Sequence, residues 1–351
     1  MDQFDQWCKE QYRLETGFEK PESLSEVAGS AGRIAVIYAD GNNMGELLQS
    51  ARNVEDFGAL SEALRRAIRD AVFQALFEVF LRNTSPKKKK KYAPFEIIAL
   101  GGDDALLVVP ASDGWDVSRI LIERFQNHGE ITGLRKRLGD SSAKPVPLTI
   151  SVGVAIADMK YPISFLVNLA QGLLKEAKRW ARQTQAGTLC HLWLRAPIIS
   201  ESASMVLKPL YYKRAKSYSY RLTARPYTCE EAERLTDLAR ALKQLAKSQR
   251  RALAESLAKG VHVSLNYALY QAARVKGGDL QEIFEKAREL VFQRGSATES
   301  PTSFWVELNG QRTGDIVYQT ALLDALELAD LLPPYKSEAQ TDQPRSLADG
   351  T

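Results

Sequence analysis

The 351-residue chain has only three cysteines, Cys8, Cys190 and Cys229, and three histidines, His128, His191 and His262. The cysteines lie far apart and form no Cys-x-x-Cys pair, which excludes a disulfide framework and a zinc ribbon built from them. The histidines are followed by Gly129, Leu192 and Val263, so a His-Asp nuclease signature is absent. No apolar run reaches the length needed to span a bilayer. The start Met1-Asp2-Gln3-Phe4-Asp5 has neither the basic residues nor the apolar core of an export signal. These absences predict a cytoplasmic protein without a membrane partner. Excess charge is also small: 47 Lys and Arg against 43 Asp and Glu give a formal net charge of +4, which permits nucleic-acid contact without requiring it. With 44% hydrophobic residues the chain can bury a sizeable core, and its length suits about two domains.

Two short acidic motifs carry the chemistry. Asp40-Gly41-Asn42-Asn43 ends the strand-like run Ile34-Ala35-Val36-Ile37-Tyr38, whose apolar character suits a sheet covered on both faces. Gly101-Gly102-Asp103-Asp104 lies between the runs Phe95 to Leu100 and Ala105 to Val109, as a hairpin turn whose glycines accept positive φ. A lone Gly-Gly-Asp-Asp reads as an ordinary turn. The order strand, Asp-Gly-Asn, two helices, strand, Gly-Gly-Asp-Asp, strand, helix, strand, helix is far more restrictive. If the two strands are neighbours, Asp40, Asp103 and Asp104 meet at one sheet edge, where a hard divalent cation would relieve their repulsion and bind nucleotide phosphates.

The rest of the chain organises around these motifs. Asn53-Val54-Glu55-Asp56 starts a long helix with Phe57, Leu60, Leu64, Ile68, Val72, Leu76 and Phe80 on one stripe. A second helix is predicted from Trp115 to Leu138, with Gly129 and Gly133 as points of interruption. Leu148 to Ile156 alternates as a strand that should lie beside the acidic ones. Pro162 suits the first turn of a helix that turns Phe165, Leu166, Leu169, Leu173, Leu174 and Ala177 inward. Lys175, Lys178 and Arg179 in its C-terminal half admit two readings: cations complementing the helix dipole, or a lysine aimed at a triphosphate. Thr228 and Glu231 form a Thr-x-x-Glu capping box, and helices fit Val261 to Val275, Asp279 to Phe292 and Thr313 to Leu331.

The motif set resembles a known family. Tyr38-Ala39-Asp40-Gly41-Asn42-Asn43-Met44-Gly45, Ala99 to Asp104, Leu148 to Val154 and Leu174-Lys175-Glu176-Ala177-Lys178 are similar, in order, to the catalytic palm of the type III CRISPR large subunit, the polymerase-cyclase family. That palm is related to the GGDEF domain of diguanylate cyclases and to class III adenylyl cyclases. The resemblance implies an α/β (α+β) fold: a ferredoxin-like palm or nucleotide cyclase domain, followed by a C-terminal helical bundle. It implies a nucleotidyltransferase with ATP as substrate, cyclic oligoadenylates as product, two Mg²⁺ or Mn²⁺ ions, and a role in anti-phage defence. Asp40, Asp103 and Asp104 would be catalytic, and these three with the Gly41 carbonyl would hold the metals. Gly41, Asn42, Asn43, Gly101, Gly102, Lys175 and Lys178 are the candidate nucleotide-binding residues, with Lys178 on the triphosphate.

The departures from the family bear on mechanism. A nuclease domain, a first palm and a zinc ribbon are not visible, and cyclisation in that family uses two facing palms. The second palm would come from a homodimer or from a partner subunit. Two other classes stay open: a non-catalytic nucleotide-binding scaffold subunit of an RNA-guided effector, and a dinucleotide cyclase using GTP. Two segments are candidates for RNA or single-stranded DNA. Tyr211 to Arg221 mixes aromatic and basic residues, as nucleic-acid grooves or the seam between domains do. Lys87 to Lys91 is a run of five lysines, read as a solvated loop or as salt-dependent attraction for phosphate. The expected organisation is an N-terminal arm or short helix (residues 1–30), the palm (31–200), a connecting segment (201–227), a helical domain (228–332) and a disordered tail (333–351).

Overall fold

The run Ile34 to Ile37 is completely buried, as a strand must be when helices cover both faces of its sheet. It is the centre of β1 (Arg33–Asn42) in a computed structural model that describes residues 1–82, 91–141, 148–196, 202–274, 279–294, 297–298, 304–308 and 316–333. Two helices precede it, α1 (Asp2–Tyr12) and α2 (Leu24–Ala28). After it come α3 (Met44–Gln49), α4 (Val54–Phe80), β2 (Glu96–Gly101), β3 (Asp104–Pro110), α5 (Gly114–Gln126), α6 (Gly129–Ser141), β4 (Thr149–Asp158), α7 (Ile163–Thr184) and β5 (Thr188–Trp193). The second half holds α8 (Ala203–Tyr211), β6 (Tyr212–Arg214), β7 (Tyr218–Arg221), β8 (Tyr227–Thr228), α9 (Cys229–Lys243), α10 (Lys247–Ala258), α11 (Val261–Arg274) and α12 (Asp279–Phe292). It ends with β9 (Ala297–Thr298), β10 (Val306–Leu308), β11 (Ile316–Gln319) and α13 (Leu322–Leu331).

The first sheet has the order β2-β3-β1-β4-β5-β8. Its β1-α4-β2-β3-α5-β4 part is antiparallel throughout and is the expected ferredoxin-like core, with β5 added parallel to β4 and β8 antiparallel to β5. Two glycines show how closely helices cover both faces. A Cβ on Gly114, at the start of α5, would meet the Cβ of Ala35 at 2.4 Å. On the other face, a Cβ on Gly153 of β4 would strike the Ala170 carbonyl oxygen at 2.1 Å and the Leu174 nitrogen at 2.4 Å, so α7 lies directly on the strand backbone. The N-terminal arm is pinned by aromatic packing: Phe4 of α1 meets Phe73 of α4 and Phe95 with ring centroids 5.4 and 5.2 Å apart. Asn53 caps α4 by accepting from the Asp56 amide at 2.7 Å, and Thr228 with Glu231 closes the capping box of α9.

Several local expectations change. β4 is buried on both faces instead of alternating, because α5 and α7 sandwich it. Pro162 is the N-cap of α7 and not a first-turn residue. The helix expected from Trp115 to Leu138 is two helices, broken at Asn127 and His128 ahead of Gly129. Residues 316–319, expected within a helix from Thr313 to Leu331, are the strand β11, and the helix begins at Leu322. β11 belongs to a second sheet, β6-β7-β11-β10-β9, which joins the helices of the C-terminal half and pairs β11 in parallel with β7. The stretch expected as a connecting segment contributes α8, β6, β7 and the start of β8. Lys87 to Lys90, Val275, residues 313–315 and the tail from 334 onward lie outside the described residues.

A buried ion cluster ties the two halves together. Arg225, between β7 and β8, sends its Nη2 to Glu327 Oε2 at 2.5 Å and approaches Asp324 Oδ1 at 3.3 Å, both on α13. Its guanidinium also donates to His191 Nε2 on β5 at 3.1–3.3 Å, and Tyr211 and Tyr227 donate to Glu327 and Asp324. Burial lowers His191 well below the usual imidazole range and Arg225 reinforces this, so the ring is neutral and accepts from the arginine.

Candidate active site

The end of β1 and the β2–β3 hairpin bring the acidic motifs together. Asp40 faces Asp104 in the β1–β3 register, and Gly101 pairs with Asp104 across the hairpin. Gly102 and Asp103 are then the two central turn residues. Gly102 has φ +61°, the positive φ that the first central position of a type II′ turn needs, while Gly101 remains in the strand. The Gly41 amide donates to the Asp103 carbonyl at 3.0 Å, which locks the turn against the end of β1. A Cβ at position 41 would lie 2.5 Å from Met44 Cγ and 3.2 Å from Asp103 Oδ2, so a larger residue there would have to displace the Met44 side chain.

The carboxylates interact directly. Burial and then the neighbouring Asp40 raise the Asp103 carboxyl above the usual range. Tyr38 lies two residues before Asp40; burial first, then Asp104 and Asp40, push its hydroxyl pKa upward. From α7, Lys178 Nζ reaches Asp40 Oδ2 at 2.8 Å and donates to the Gly41 carbonyl at 3.0 Å. Asp40 and Lys178 remain about a third exposed, at 31% and 27%.

Among the described residues no three His, Cys, Asp or Glu side chains form a metal-holding group. The donor set present is two facing carboxylates and one main-chain carbonyl. All are hard oxygens of the kind that hold Mg²⁺ or Mn²⁺ together with nucleotide phosphates, so the residues fit a divalent cation.

The other sequence candidates divide. Asn43 takes a left-handed conformation (φ 64°) at the start of α3 and lines a small cleft of about 80 Å³ with Asn42, Thr149, Lys178, Ala181 and Arg182. Asn42 is turned into the sheet: its Nδ2 donates to Thr149 Oγ1 at 2.8 Å and its Oδ1 accepts from Ser151 at 3.0 Å. Ser151 in turn meets Thr188, whose hydroxyl donates to the Ala177 carbonyl of α7. Lys175 is exposed and makes no contact with the acidic motifs, and Gly102 is exposed at the tip of the turn. Arg182, one helical turn beyond Lys178, was not singled out from sequence, although the i, i+4 spacing puts it on the same helix face.

Much of the aromatic content of Tyr211 to Arg221 goes into packing. Tyr211 and Tyr220 are buried, and Tyr218 packs edge-on against His262 and Tyr318, leaving Tyr212 exposed with Arg221 stacked 5.3 Å from its ring. A larger groove of about 620 Å³ lies on the opposite face, between α1, α4 and α5. It is lined by residues such as Trp7, Tyr12, Glu78 and Arg124, with Arg124 already bound to Glu78 at 2.7 Å, and none of the acidic motif residues reaches it. No helix among the described residues is long and apolar enough to cross a membrane.

Residues 33–186 match the family described as Cas10/Cmr2, second palm domain. Similar solved structures include a Csm1-Csm4 cassette in complex with cA4, at 14% identity and TM-score 0.45, covering 70% of this chain and 31% of that chain. Another is the Csm1-Csm4 cassette in complex with pppApA, at 12% identity and TM-score 0.45, covering 85% and 36%. This chain therefore spans about a third of the length of the solved chains it matches. No curated protein matches.

Proposed function

We propose, from the match of residues 33–186 to the Cas10/Cmr2 second palm domain, that the chain is a metal-dependent nucleotidyltransferase that converts ATP to cyclic oligoadenylate and pyrophosphate in anti-phage defence. One observation carries this reading: Asp40, Asp103, the Gly41 carbonyl and the Lys178 ammonium converge at one end of β1. Asp40, Asp103 and the Gly41 carbonyl would hold Mg²⁺ or Mn²⁺, with Asp104 beside them. When bound, the metal lowers the pKa of an acceptor 3′-hydroxyl and neutralises the leaving pyrophosphate.

The protein's own groups do the positioning. Lys178 and Arg182 supply cations for triphosphate oxygens, and the Asn43 and Thr149 side of the cleft faces the rest of the nucleotide. One palm presents one nucleotide, so a second palm must present the other, and a second copy of the chain is the simplest source. The β2 side of the site suits that approach, since Ile98 there is 48% exposed.

The test is incubation of the full chain with Mg²⁺ or Mn²⁺ and each of the four NTPs separately, with products read by mass spectrometry and the solution mass measured in parallel. An oligoadenylate from ATP is expected, with yield reduced by at least about 10²-fold in Asp103→Ala plus Asp104→Ala and the melting temperature retained. Unchanged yield in that variant sinks the site assignment. ATP binding without product, whatever the partner, leaves the nucleotide-binding scaffold as the function, and product from GTP alone makes the chain a different cyclase.

A further inference from the structure

Lys178 touches the same two oxygens that the proposed function assigns to a metal. Its Nζ is 2.8 Å from Asp40 Oδ2 and 3.0 Å from the Gly41 carbonyl oxygen. A divalent cation held by these two oxygens on the side where the ammonium sits would have to take the ammonium's place. Two like charges so close, in a partly buried site, repel strongly. Lysine and metal therefore contend for one place.

Resting on the reading of Asp40 and Gly41 as metal ligands, we propose that Lys178 is a resident counter-cation that the metal must displace, and that the displaced ammonium moves to the nucleotide triphosphate. Metal and nucleotide then load together. The metal alone has to evict a cation that has nowhere better to go; with the nucleotide present, the cation gains phosphate oxygens as it leaves.

Three features support the exchange. The helix under Lys178 is fixed, because α7 sits on the Gly153 backbone one turn earlier, at Leu174. The side chain itself is free to swing, being 27% exposed on a flexible four-carbon stem. A destination adjoins it, since Lys178 also lines the cleft shared with Asn43, Thr149 and Arg182, where Arg182 adds a second positive charge. The resident ammonium also explains how Asp40 and Asp103 stay facing each other: it neutralises one carboxylate of a pair that would otherwise repel.

The exchange predicts opposite signs for two binding constants in one variant. Mn²⁺ binding to the full chain is measured by electron paramagnetic resonance without nucleotide, in wild type, Lys178→Met, Lys178→Arg and Asp40→Asn. Removing the competing charge should tighten Mn²⁺ binding by about tenfold or more in Lys178→Met, whereas Lys178→Arg stays at or below wild type. In the presence of Mn²⁺, ATP binding to Lys178→Met should weaken by about tenfold, because the triphosphate loses its cation. Lys178→Gln repeats both measurements should the methionine variant fold poorly.

Mn²⁺ binding that is no tighter in Lys178→Met and Lys178→Gln, yet lost in Asp40→Asn, overturns the exchange and leaves the metal site standing. Mn²⁺ binding that Asp40→Asn does not change overturns both.

Discussion

The cluster around Arg225 and the cluster around Lys178 each set a basic side chain among acidic ones, and they are built for opposite purposes. Around Arg225, the carboxylates of Asp324 and Glu327 are 0% and 10% exposed, and the Tyr211 and Tyr227 hydroxyls and the Ala224 amide donate to them. Around Lys178, Asp40 is 31% exposed and the partners are fewer: one ammonium, a facing carboxyl and a carbonyl. The first cluster uses arginine, whose planar fork serves several acceptors at once; the second uses lysine, a mobile point charge. A buried cluster whose charges are met from within the protein holds segments in place. A half-open cluster with strained like charges has capacity left for a ligand.

That contrast can be broken most forcefully at Arg225. Arg225→Met strands Asp324 and Glu327 in the interior and should cost about 3–5 kcal/mol in urea unfolding. Lys178→Met, removing a part-exposed partner, should change stability by less than about 1 kcal/mol. Equal effects would erase the distinction between the clusters.

Asn42 sharpens the comparison, because it lies in the acidic motif but is bonded like a residue of the interior. Asn42→Ala leaves the Thr149 and Ser151 hydroxyls short of partners and should cost about 1–3 kcal/mol, with ATP affinity shifting less than stability does. A variant that keeps its stability and loses ATP would move Asn42 to the ligand side.

The smallest effect concerns pH. Burial, then Asp40, hold the Asp103 carboxyl above its usual range, so the folded protein binds this proton more tightly than the unfolded chain does. Ionising it therefore costs stability as pH rises from about 4 through the raised folded value. Asp103→Asn should be the more stable protein at pH 7, with the advantage closing as pH falls below about 4. A gain that persists in acid would mean the carboxylate is not the source of the strain.

Much of the palm was legible because its signals are local. A turn motif between two apolar runs, a capped helix with one stripe and a Gly-Gly-Asp-Asp hairpin each lie within a few residues, and they placed Asp40, Asp103 and Lys178 where the structure brings them together. What escaped is long-range. Arg225 meets Glu327 across 102 residues and Asn42 meets Thr149 across 107, and nothing near either residue announces its partner. The second sheet escaped for a related reason: its strands are two to four residues long, too short for any periodicity, and β11 finds β7 from the far end of the chain. Arg182 was within reach of sequence reasoning, since it repeats Lys178 one turn later.

The bare backbone at Gly153 has a mechanical consequence. Ala170 and Leu174 rest directly on it, and Lys178 extends one turn further along the same helix to touch Asp40. Helix α7 is thus a lever whose fulcrum is a missing methyl group, and the height of that fulcrum sets how far the lysine reaches. The working distance at the acidic edge is gauged from the middle of a buried strand, out of reach of anything that binds at the surface.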